Sequence, residues 1–225
     1  MMNGYYSDKL SAERLKKCYE IAPPRVQQYL KAEIEYVMEK IRPGDIVLEL
    51  GCGYGRIISF LSKKVEWVIG IDTSFSSLLL GKEMLQGISN CSLLQMDAVG
   101  LGFRNHIFDV VVCIQNGISA FKVNQKELIK ESIRVTKPKG IALFSSYSEK
   151  FWKDRLEWFQ LQSEAGLLGE IDYEKTRNGL IVCKDGFTAT TVEREQFLLL
   201  TKDFDVNTKI EEVDESSLFC EITLC

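Results

Sequence analysis

Three acidic residues and a glycine-rich turn are the parts of this sequence whose types and spacing could do chemistry. The stretch VLELGCGYGR, residues 47–56, runs from apolar residues through Glu49 into the turn. That turn contains Gly51, Cys52, Gly53 and Gly55. Such a turn after a strand brings backbone N–H groups to the carboxyl edge of a sheet, where anions and ribose bind. Asp72 and Asp97 end the next two apolar segments, so we expect all three carboxylates at this edge.

The spacing of the glycines separates this turn from the two common phosphate-binding motifs. A dinucleotide fingerprint, GxGxxG, would need a third glycine at position 56, where the chain has Arg56. The phosphate-loop pattern GxxxxGK is absent as well. Glu49, just before the turn, would repel a pyrophosphate and favour a cationic ligand. The sequence therefore argues against a nicotinamide oxidoreductase, while a turn with only a structural role stays open.

Alternating strands and helices must position these residues. Short apolar segments predict five strands, at residues 45–50, 66–72, 91–97, 108–116 and 139–147. Helical patterns lie between them and also precede them, at residues 8–20 and 22–41. Alternation of this kind predicts a parallel sheet with helices packed on it. Residues 205–214 and 216–224 read as two further strands joined by a tight turn, an antiparallel end to the sheet.

The predicted fold class is α/β, a doubly wound, mostly parallel seven-stranded sheet that ends in an antiparallel pair. One domain is expected over residues 1–225, because no linker or repeat interrupts the chain. We divide it into an N-terminal helical cap (1–43), a core that carries the site (44–148), an insertion (149–192) and a C-terminal helix with two strands (193–225). The insertion reads as a helix followed by a β-hairpin, with Asp185-Gly186 in the turn, and is expected to cover the site as a lid.

Composition narrows the range of functions. The net charge of -4 gives no electrostatic reason to expect nucleic acid as a partner. The longest apolar run, residues 110–114, is too short to span a membrane, and the N-terminal residues do not resemble a signal peptide. With one histidine and no CxxC pair among seven cysteines, we expect no metal site. A cytoplasmic protein, monomeric or homodimeric, is the expectation.

Five segments taken in order resemble the class I S-adenosylmethionine-dependent methyltransferases. They are E-L-G-C-G-Y-G, G-I-D, Q-M-D-A, F-D-V-V-V and R-V-T-K-P-K-G, and they cover residues 45–146. The resemblance implies S-adenosylmethionine as the cofactor, with the turn from Glu49 to Gly55 against its methionine moiety. It also implies that Asp72 and Thr73 lie at the ribose. One departure, K-P-K-G where the family usually has K-P-G-G, lies away from these positions.

The resemblance extends to other residues around the expected cofactor. Asp97 and Ala98 would flank the adenine, and Gln115 and Asn116 would line the cavity near the methyl group. Tyr19 is similar to a tyrosine that lies over the cofactor in many small-molecule members. For three of these residues a structural role is the alternative: a helix cap for Asp97, the end of a strand for Asn116 and simple packing for Tyr19.

The expected reaction is methyl transfer to a nitrogen, oxygen or sulfur atom of a small molecule by direct in-line displacement. No dedicated catalytic base is assigned; Asn116 is a candidate for positioning the acceptor. Candidate contacts to the acceptor are Tyr6, Tyr147, Trp152 and Phe187. The alternatives are a protein or RNA methyltransferase, or a non-catalytic module that binds the cofactor. The absence of N-P-P-Y after the fourth strand argues against amino-methylation of DNA bases.

Overall fold

A seven-stranded sheet forms the centre of the computed structural model, which describes residue 5 and residues 9–225. Its strands are β1 (Ile46–Leu50), β2 (Trp67–Asp72), β3 (Cys91–Gln95), β4 (Phe108–Cys113), β5 (Thr136–Tyr147), β8 (Val206–Val213) and β9 (Ser217–Leu224). Two further short strands, β6 (Ile181–Val182) and β7 (Thr188–Ala189), form an antiparallel ladder of their own. The order in the sheet is β3-β2-β1-β4-β5-β9-β8. The first five strands run parallel, and β9 pairs antiparallel with both of its neighbours. The predicted fold class is confirmed.

Helices connect and cover the strands. They are α1 (Ala12–Glu20), α2 (Pro24–Lys40), α3 (Ile58–Leu61), α4 (Phe75–Met84), α5 (Gly117–Ala120), α6 (Gln125–Val135), α7 (Trp152–Glu164) and α8 (Arg194–Thr201), with a 3₁₀ turn at Glu149–Phe151. Polar side chains cap the N-termini of two of these helices. The Ser74 side chain accepts from the backbone N–H of Ser77 at the start of α4, and Asn124 accepts from the N–H groups of Lys126 and Glu127 at α6. These bonds satisfy backbone donors that have no partner within the helix.

Alternate residues of the central strand pack against two different apolar clusters. Val47 on β1 lies in one cluster with Ile34 and Val37 of α2, while Leu48 lies in the other with Leu128 of α6. Successive side chains of a strand point to opposite faces, so both faces of the sheet are covered. The continuous apolar run that predicted β4 has the same cause. Because the sheet is buried on both sides, its open carboxyl edge is where a site can form.

A third apolar cluster joins the N-terminal helices to the insertion. It contains Leu10 and Cys18, Tyr29 of α2, and Trp158 and Phe159 of α7. The Trp158 indole N–H donates to the backbone oxygen of Cys18 at 2.8 Å, so α7 is tied directly to α1. This cluster forms a second wall opposite the edge of the sheet.

Two local elements differ from their predicted extent. The helical pattern predicted between the first two strands has only four α-helical residues, because several flanking N–H groups bond to the carbonyl three residues back. The predicted hairpin of the insertion pairs only Ile181 with Ala189 and Val182 with Thr188. Gly186 takes φ +94° in the turn between them, a conformation that glycine adopts without strain.

Within the part of the chain that the structure describes, none of the helices has the length and apolar character that a membrane span requires.

Candidate active site

A cavity of about 410 Å³ opens at the carboxyl edge of the sheet. One side is the glycine turn after β1, with the ends of β2, β3 and β4 beside it. The opposite side comes from α1, α7 and the β6–β7 ladder. The volume is in the range of sites for small ligands and cofactors. The residues in its wall decide what such a ligand can be.

Backbone hydrogen bonds fix the glycine turn against the neighbouring strand. The N–H groups of Gly51 and Cys52 both donate to the backbone oxygen of Ile71, at 2.8 and 2.9 Å. Gly51 has φ +72°, and a Cβ built there would collide with the ring of Phe121. Gly53, with φ +54°, also lines the cavity. Glycine is therefore needed at position 51 for two separate reasons, the backbone conformation and the space that Phe121 occupies.

The Asp72 carboxylate closes the same turn from β2. One of its oxygens accepts from the N–H of Gly53 and the other from the N–H of Ser74, each at 2.8 Å. Burial raises the pKa of Asp72, and these backbone N–H groups oppose that rise. Each carboxylate oxygen keeps a further lone pair, so Asp72 can still accept from hydroxyl groups in the cavity.

Glu49 and Arg56 place a carboxyl group and a guanidinium in the cavity wall. Glu49 is 3% exposed, and burial raises its pKa to about 8 although the Arg56 guanidinium opposes that rise. The guanidinium lies over the Tyr19 ring, 4.4 Å from the ring centre. Glu49 Oε2 and Arg56 Nη2 are buried and have no hydrogen-bond partner among the described residues. A ligand with one cationic and one anionic group would satisfy both atoms.

Gln115 follows β4 and enters the cavity wall in an unusual backbone conformation. Gln115 and Asn116 have φ +56° and +61°, the left-handed region, which is costly for residues other than glycine. The Gln115 backbone N–H donates to Oε2 of Glu33 on α2 at 2.7 Å, and the Tyr19 hydroxyl donates to Gln115 Oε1 at 3.2 Å. Glu33 is fully buried and is a contact that the sequence reasoning missed; the available signal was an acid on the apolar face of α2.

The ends of β2 and β3 complete the half of the cavity that the sheet builds. Thr73, Asp97 and Ala98 all line it. Asp97 also accepts from the N–H of Val99 at 3.1 Å and so closes a local turn; none of the described helices begins there for it to cap. Exposed Asp97 and buried Ala98 thus offer an acceptor next to an apolar contact.

Aromatic side chains form the half of the cavity that faces the sheet edge. Tyr147, Trp158, Phe159 and Phe187 line it, and all four are buried. Two of them, Tyr147 and Phe187, are among the predicted acceptor contacts. Trp158 and Phe159 were identifiable as aromatic residues of one helix, but the sequence does not tell which of them face a cavity. This half suits an apolar or aromatic molecule.

Three predicted site residues, Gly55, Asn116 and Trp152, do not line this cavity. Gly55 is packed beneath the turn, where its N–H donates to the Cys52 oxygen at 2.8 Å. Asn116 is turned away from the cavity, because its amide donates to the Thr190 oxygen and accepts from Ser146. Trp152 packs within the third cluster, its ring 5.9 Å from the Arg155 guanidinium. The prediction for Tyr6 falls outside the described residues.

The remaining predicted positions do meet in one place. The cavity wall contains Tyr19, Glu49, Gly51, Cys52, Gly53, Asp72, Thr73, Asp97, Ala98 and Gln115. Burial raises the pKa of the Cys52 thiol well above its usual range, so this cysteine is a filler of the turn and not a thiolate. In the described ranges, residue 5 and residues 9–225, no three His, Cys, Asp or Glu side chains group as metal ligands would.

Comparison with known proteins relates this geometry to one family. Residues 47–140 match the family model of a methyltransferase domain. A relative from Synechocystis sp., 2-methyl-6-phytyl-1,4-hydroquinone methyltransferase, is 26% identical over 137 residues, which is 57% of this chain and 42% of that protein. The aligned parts cover less than half the length of the first four curated relatives.

Solved structures share the fold over nearly the whole chain. The PH0226 protein from Pyrococcus horikoshii OT3 aligns with a TM-score of 0.65 at 22% identity, over 98% of this chain and 95% of that one. The N-methyltransferase NodS from Bradyrhizobium japonicum WM9, crystallised with S-adenosyl-L-homocysteine, aligns with a TM-score of 0.63 at 12% identity, over 96% and 99%. At these identities the likeness concerns the fold.

Proposed function

We propose that this chain is a class I S-adenosylmethionine-dependent methyltransferase that transfers a methyl group from this cofactor to a small molecule. Support comes from the match of residues 47–140 to the methyltransferase-domain model and from the similarity to the Synechocystis methyltransferase. One observation carries the proposal. A single cavity joins the glycine turn and Asp72 on one side to a wall of buried aromatic residues on the other. The first side fits the cofactor and the second fits an apolar acceptor, so the two reactants would meet in an enclosed space.

The polar residues in the wall fit the groups of S-adenosylmethionine. Its amino-acid end carries an ammonium and a carboxylate, the two charges that Glu49 Oε2 and Arg56 Nη2 would satisfy. Binding of the ammonium would hold Glu49 in its charged form, although burial alone favours the protonated form. Asp72 would accept from the ribose hydroxyls while its bonds to Gly53 and Ser74 keep it in place. Ala98 and Asp97 would contact the adenine.

The chain's own contribution to the reaction is to bind, orient and exclude water. When bound, the cofactor would supply an activated methyl group on a sulfonium centre for direct displacement by a lone pair of the acceptor. Alignment of the two reactants can contribute on the order of 7–11 kcal/mol to lowering the barrier. Tyr147, Trp158 and Phe187 would hold the acceptor and keep solvent from the reacting atoms.

The nature of the wall supports a small acceptor with an apolar body. Its aromatic side chains would pack on a flat or apolar molecule and leave the attacking nitrogen, oxygen or sulfur atom directed at the turn. The Synechocystis relative acts, by its name, on a hydroquinone, an aromatic small molecule, which agrees with this wall. The net charge of -4 offers no attraction to RNA.

Calorimetric titration with S-adenosyl-L-homocysteine tests the proposal, with NAD as the control ligand. We expect binding of S-adenosyl-L-homocysteine with micromolar affinity and no binding of NAD, because the turn lacks the GxGxxG spacing. Binding of NAD alone, or of neither compound, would contradict the proposal. Titration of candidate aromatic acceptors in the presence of S-adenosyl-L-homocysteine then tests the other half of the cavity.

Asp72→Asn tests where the cofactor lies. The substitution keeps the side chain's size and one acceptor oxygen but removes the charge, so we expect S-adenosyl-L-homocysteine to bind about 10- to 100-fold more weakly. Asp203→Asn is the matched control, since Asp203 is exposed and pairs with Lys126 away from the cavity. Equal affinity of the Asp72→Asn variant and the wild type would rule out this carboxylate as a ribose ligand.

A further inference from the structure

Glu33 places a carboxyl group at a position of α2 where the apolar pattern predicts a hydrophobic residue. It lies one turn after Tyr29 and beside Ile34, and its side chain is fully buried. Removing a carboxyl group from water is costly unless hydrogen bonds compensate. A residue retained at that cost is expected to contribute something other than packing.

The hydrogen bonds of Glu33 join three distant parts of the chain. Oε2 accepts from the Gln115 backbone N–H at 2.7 Å, and Oε1 accepts from the Ser217 hydroxyl at 2.6 Å. Glu33 therefore connects α2 with the end of β4 and the start of β9. The bond to Gln115 has the greater consequence, because Gln115 lines the cavity and Glu33 does not.

Gln115 needs such a support. It and Asn116 are successive residues with positive φ, each costing about 1–3 kcal/mol, and such conformations persist only where the surroundings hold them. Asn116 is held through Thr190 and Ser146. Glu33 holds the Gln115 backbone, and Tyr19 holds the end of its side chain.

We propose that Glu33 is a positioning residue, which sets the Gln115 backbone and through it the cavity wall that Gln115 and Tyr19 share, and that its protonation loosens this wall. Protonation changes the bond from Gln115 from a charge-assisted hydrogen bond to a neutral one, which is about half as strong. The ligand-facing part of the inference rests on the proposed function; the bond from Glu33 to Gln115 does not.

The surroundings of Glu33 place its titration near neutral pH. Burial raises the pKa of Glu33 to about 7, while the bonds from the Ser217 hydroxyl and the Gln115 N–H oppose that rise. The other groups that share its surroundings electrostatically are the phenols of Tyr19, Tyr29 and Tyr147, the Cys113 thiol and the Arg56 guanidinium. Burial raises the pKa of each of these phenols and of the thiol, so they stay neutral there. Arg56 is the charged neighbour among them.

Amide NMR on the ligand-free protein tests the inference directly. In the wild type we expect the Gln115 backbone amide resonance to shift with a midpoint near pH 7 as Glu33 titrates. In the Glu33→Gln variant, which keeps an acceptor oxygen without the titration, we expect no such shift between pH 6 and 8. Glu35→Gln is the matched control on the same helix, because Glu35 is exposed and pairs only with Lys31. An amide that does not move in the wild type, or that moves equally in Glu33→Gln, would overturn the proposal.

Affinity for S-adenosyl-L-homocysteine provides the functional readout. Glu49 titrates in both proteins, so the difference between them measures Glu33: from pH 8 to pH 6 the wild type should lose about three- to tenfold more affinity than Glu33→Gln loses. A purely structural role of Glu33 would lower affinity without reducing its dependence on pH. If the wild type does not bind this compound at any pH, the proposed function fails, and the amide titration alone decides on Glu33.

Discussion

Glu49 illustrates how a single residue can connect ligand binding with stability. Its carboxyl is buried beside the cavity, with Oε2 lacking a hydrogen-bond partner among the described residues. In the folded protein burial raises its pKa from 4.5 to about 8. The folded state therefore binds more protons than the unfolded state between these values, and stability falls as the pH rises through this window.

We expect Glu49→Gln to flatten this pH dependence. A single shifted carboxyl contributes a slope of up to about 1.4 kcal/mol per pH unit to the free energy of unfolding. Urea unfolding of the ligand-free wild type should show this fall between about pH 5 and 8, and the variant should lose a slope of about that size. Glu39→Gln, an exposed position, should leave the slope unchanged. Parallel slopes for Glu49→Gln and the wild type would contradict the buried, protonated state.

Two physical demands apply at Gly51, a positive φ and the absence of a side chain where the Phe121 ring lies. Gly51→Ala should lose roughly 1 kcal/mol to its positive φ and more to the displaced Phe121 ring, which also lines the cavity. Gly44→Ala is the control, since Gly44 has φ +93° but open space around its Cβ position. Both variants should unfold at lower urea concentration, and only Gly51→Ala should weaken binding of S-adenosyl-L-homocysteine. Equal affinity of the two variants would mean that Phe121 does not shape the site.

At the scale of elements, the sequence predicts what local periodicity and turn chemistry control. The five parallel strands follow from short apolar segments, two of which end in Asp72 and Asp97, and the alternation of strands and helices brings those ends together. Contacts between distant segments leave no such pattern. Glu33 reaches Gln115 across 82 positions of the chain, and the burial of Trp158 in place of Trp152 depends on how α7 packs.

The bond between α7 and α1 gives an element-scale prediction. Trp158→Phe removes the indole N–H that donates to the Cys18 oxygen, so we expect the free energy of unfolding to fall by about 1 kcal/mol beyond the effect of the lost ring volume. Hydrogen exchange should accelerate in α1. Trp152→Phe removes the same volume at a residue whose indole N–H donates to none of the described residues, and it should leave exchange in α1 unchanged. Equal exchange in both variants would exclude a role for this bond.

At the scale of the whole molecule, the cavity lies between two parts of the chain that are far apart in the sequence, the glycine turn and α7. A ligand that binds only the folded state stabilises it by about 2.7 kcal/mol at 100 times its Kd. For a chain of 225 residues we expect S-adenosyl-L-homocysteine to raise the Tm by roughly 5–10 °C at that concentration. Calorimetry with NAD as the control measures this shift. A Tm that does not respond to S-adenosyl-L-homocysteine would contradict binding in this cavity.

The two buried carboxyls give the stability of the fold and the binding of the ligand opposite dependences on pH. Burial raises the pKa of both Glu33 and Glu49, so the fold loses stability as the pH rises through 7 and 8. The hydrogen bond from the Gln115 N–H to Glu33 strengthens over the same interval, because the carboxyl loses its proton. Binding should therefore be tightest at a pH where the ligand-free fold is already past its greatest stability.

The third apolar cluster has a consequence for how the cavity can change by mutation during evolution. Trp158, Phe159 and Phe187 pack in a cluster separate from the two that cover the sheet. Substitutions there would alter the aromatic wall while the sheet, the glycine turn and Asp72 kept their own packing. During evolution, mutations can thus change the aromatic half of the cavity while the half built by the sheet is conserved. Proteins that descend from this chain could then accept new molecules with the same fold.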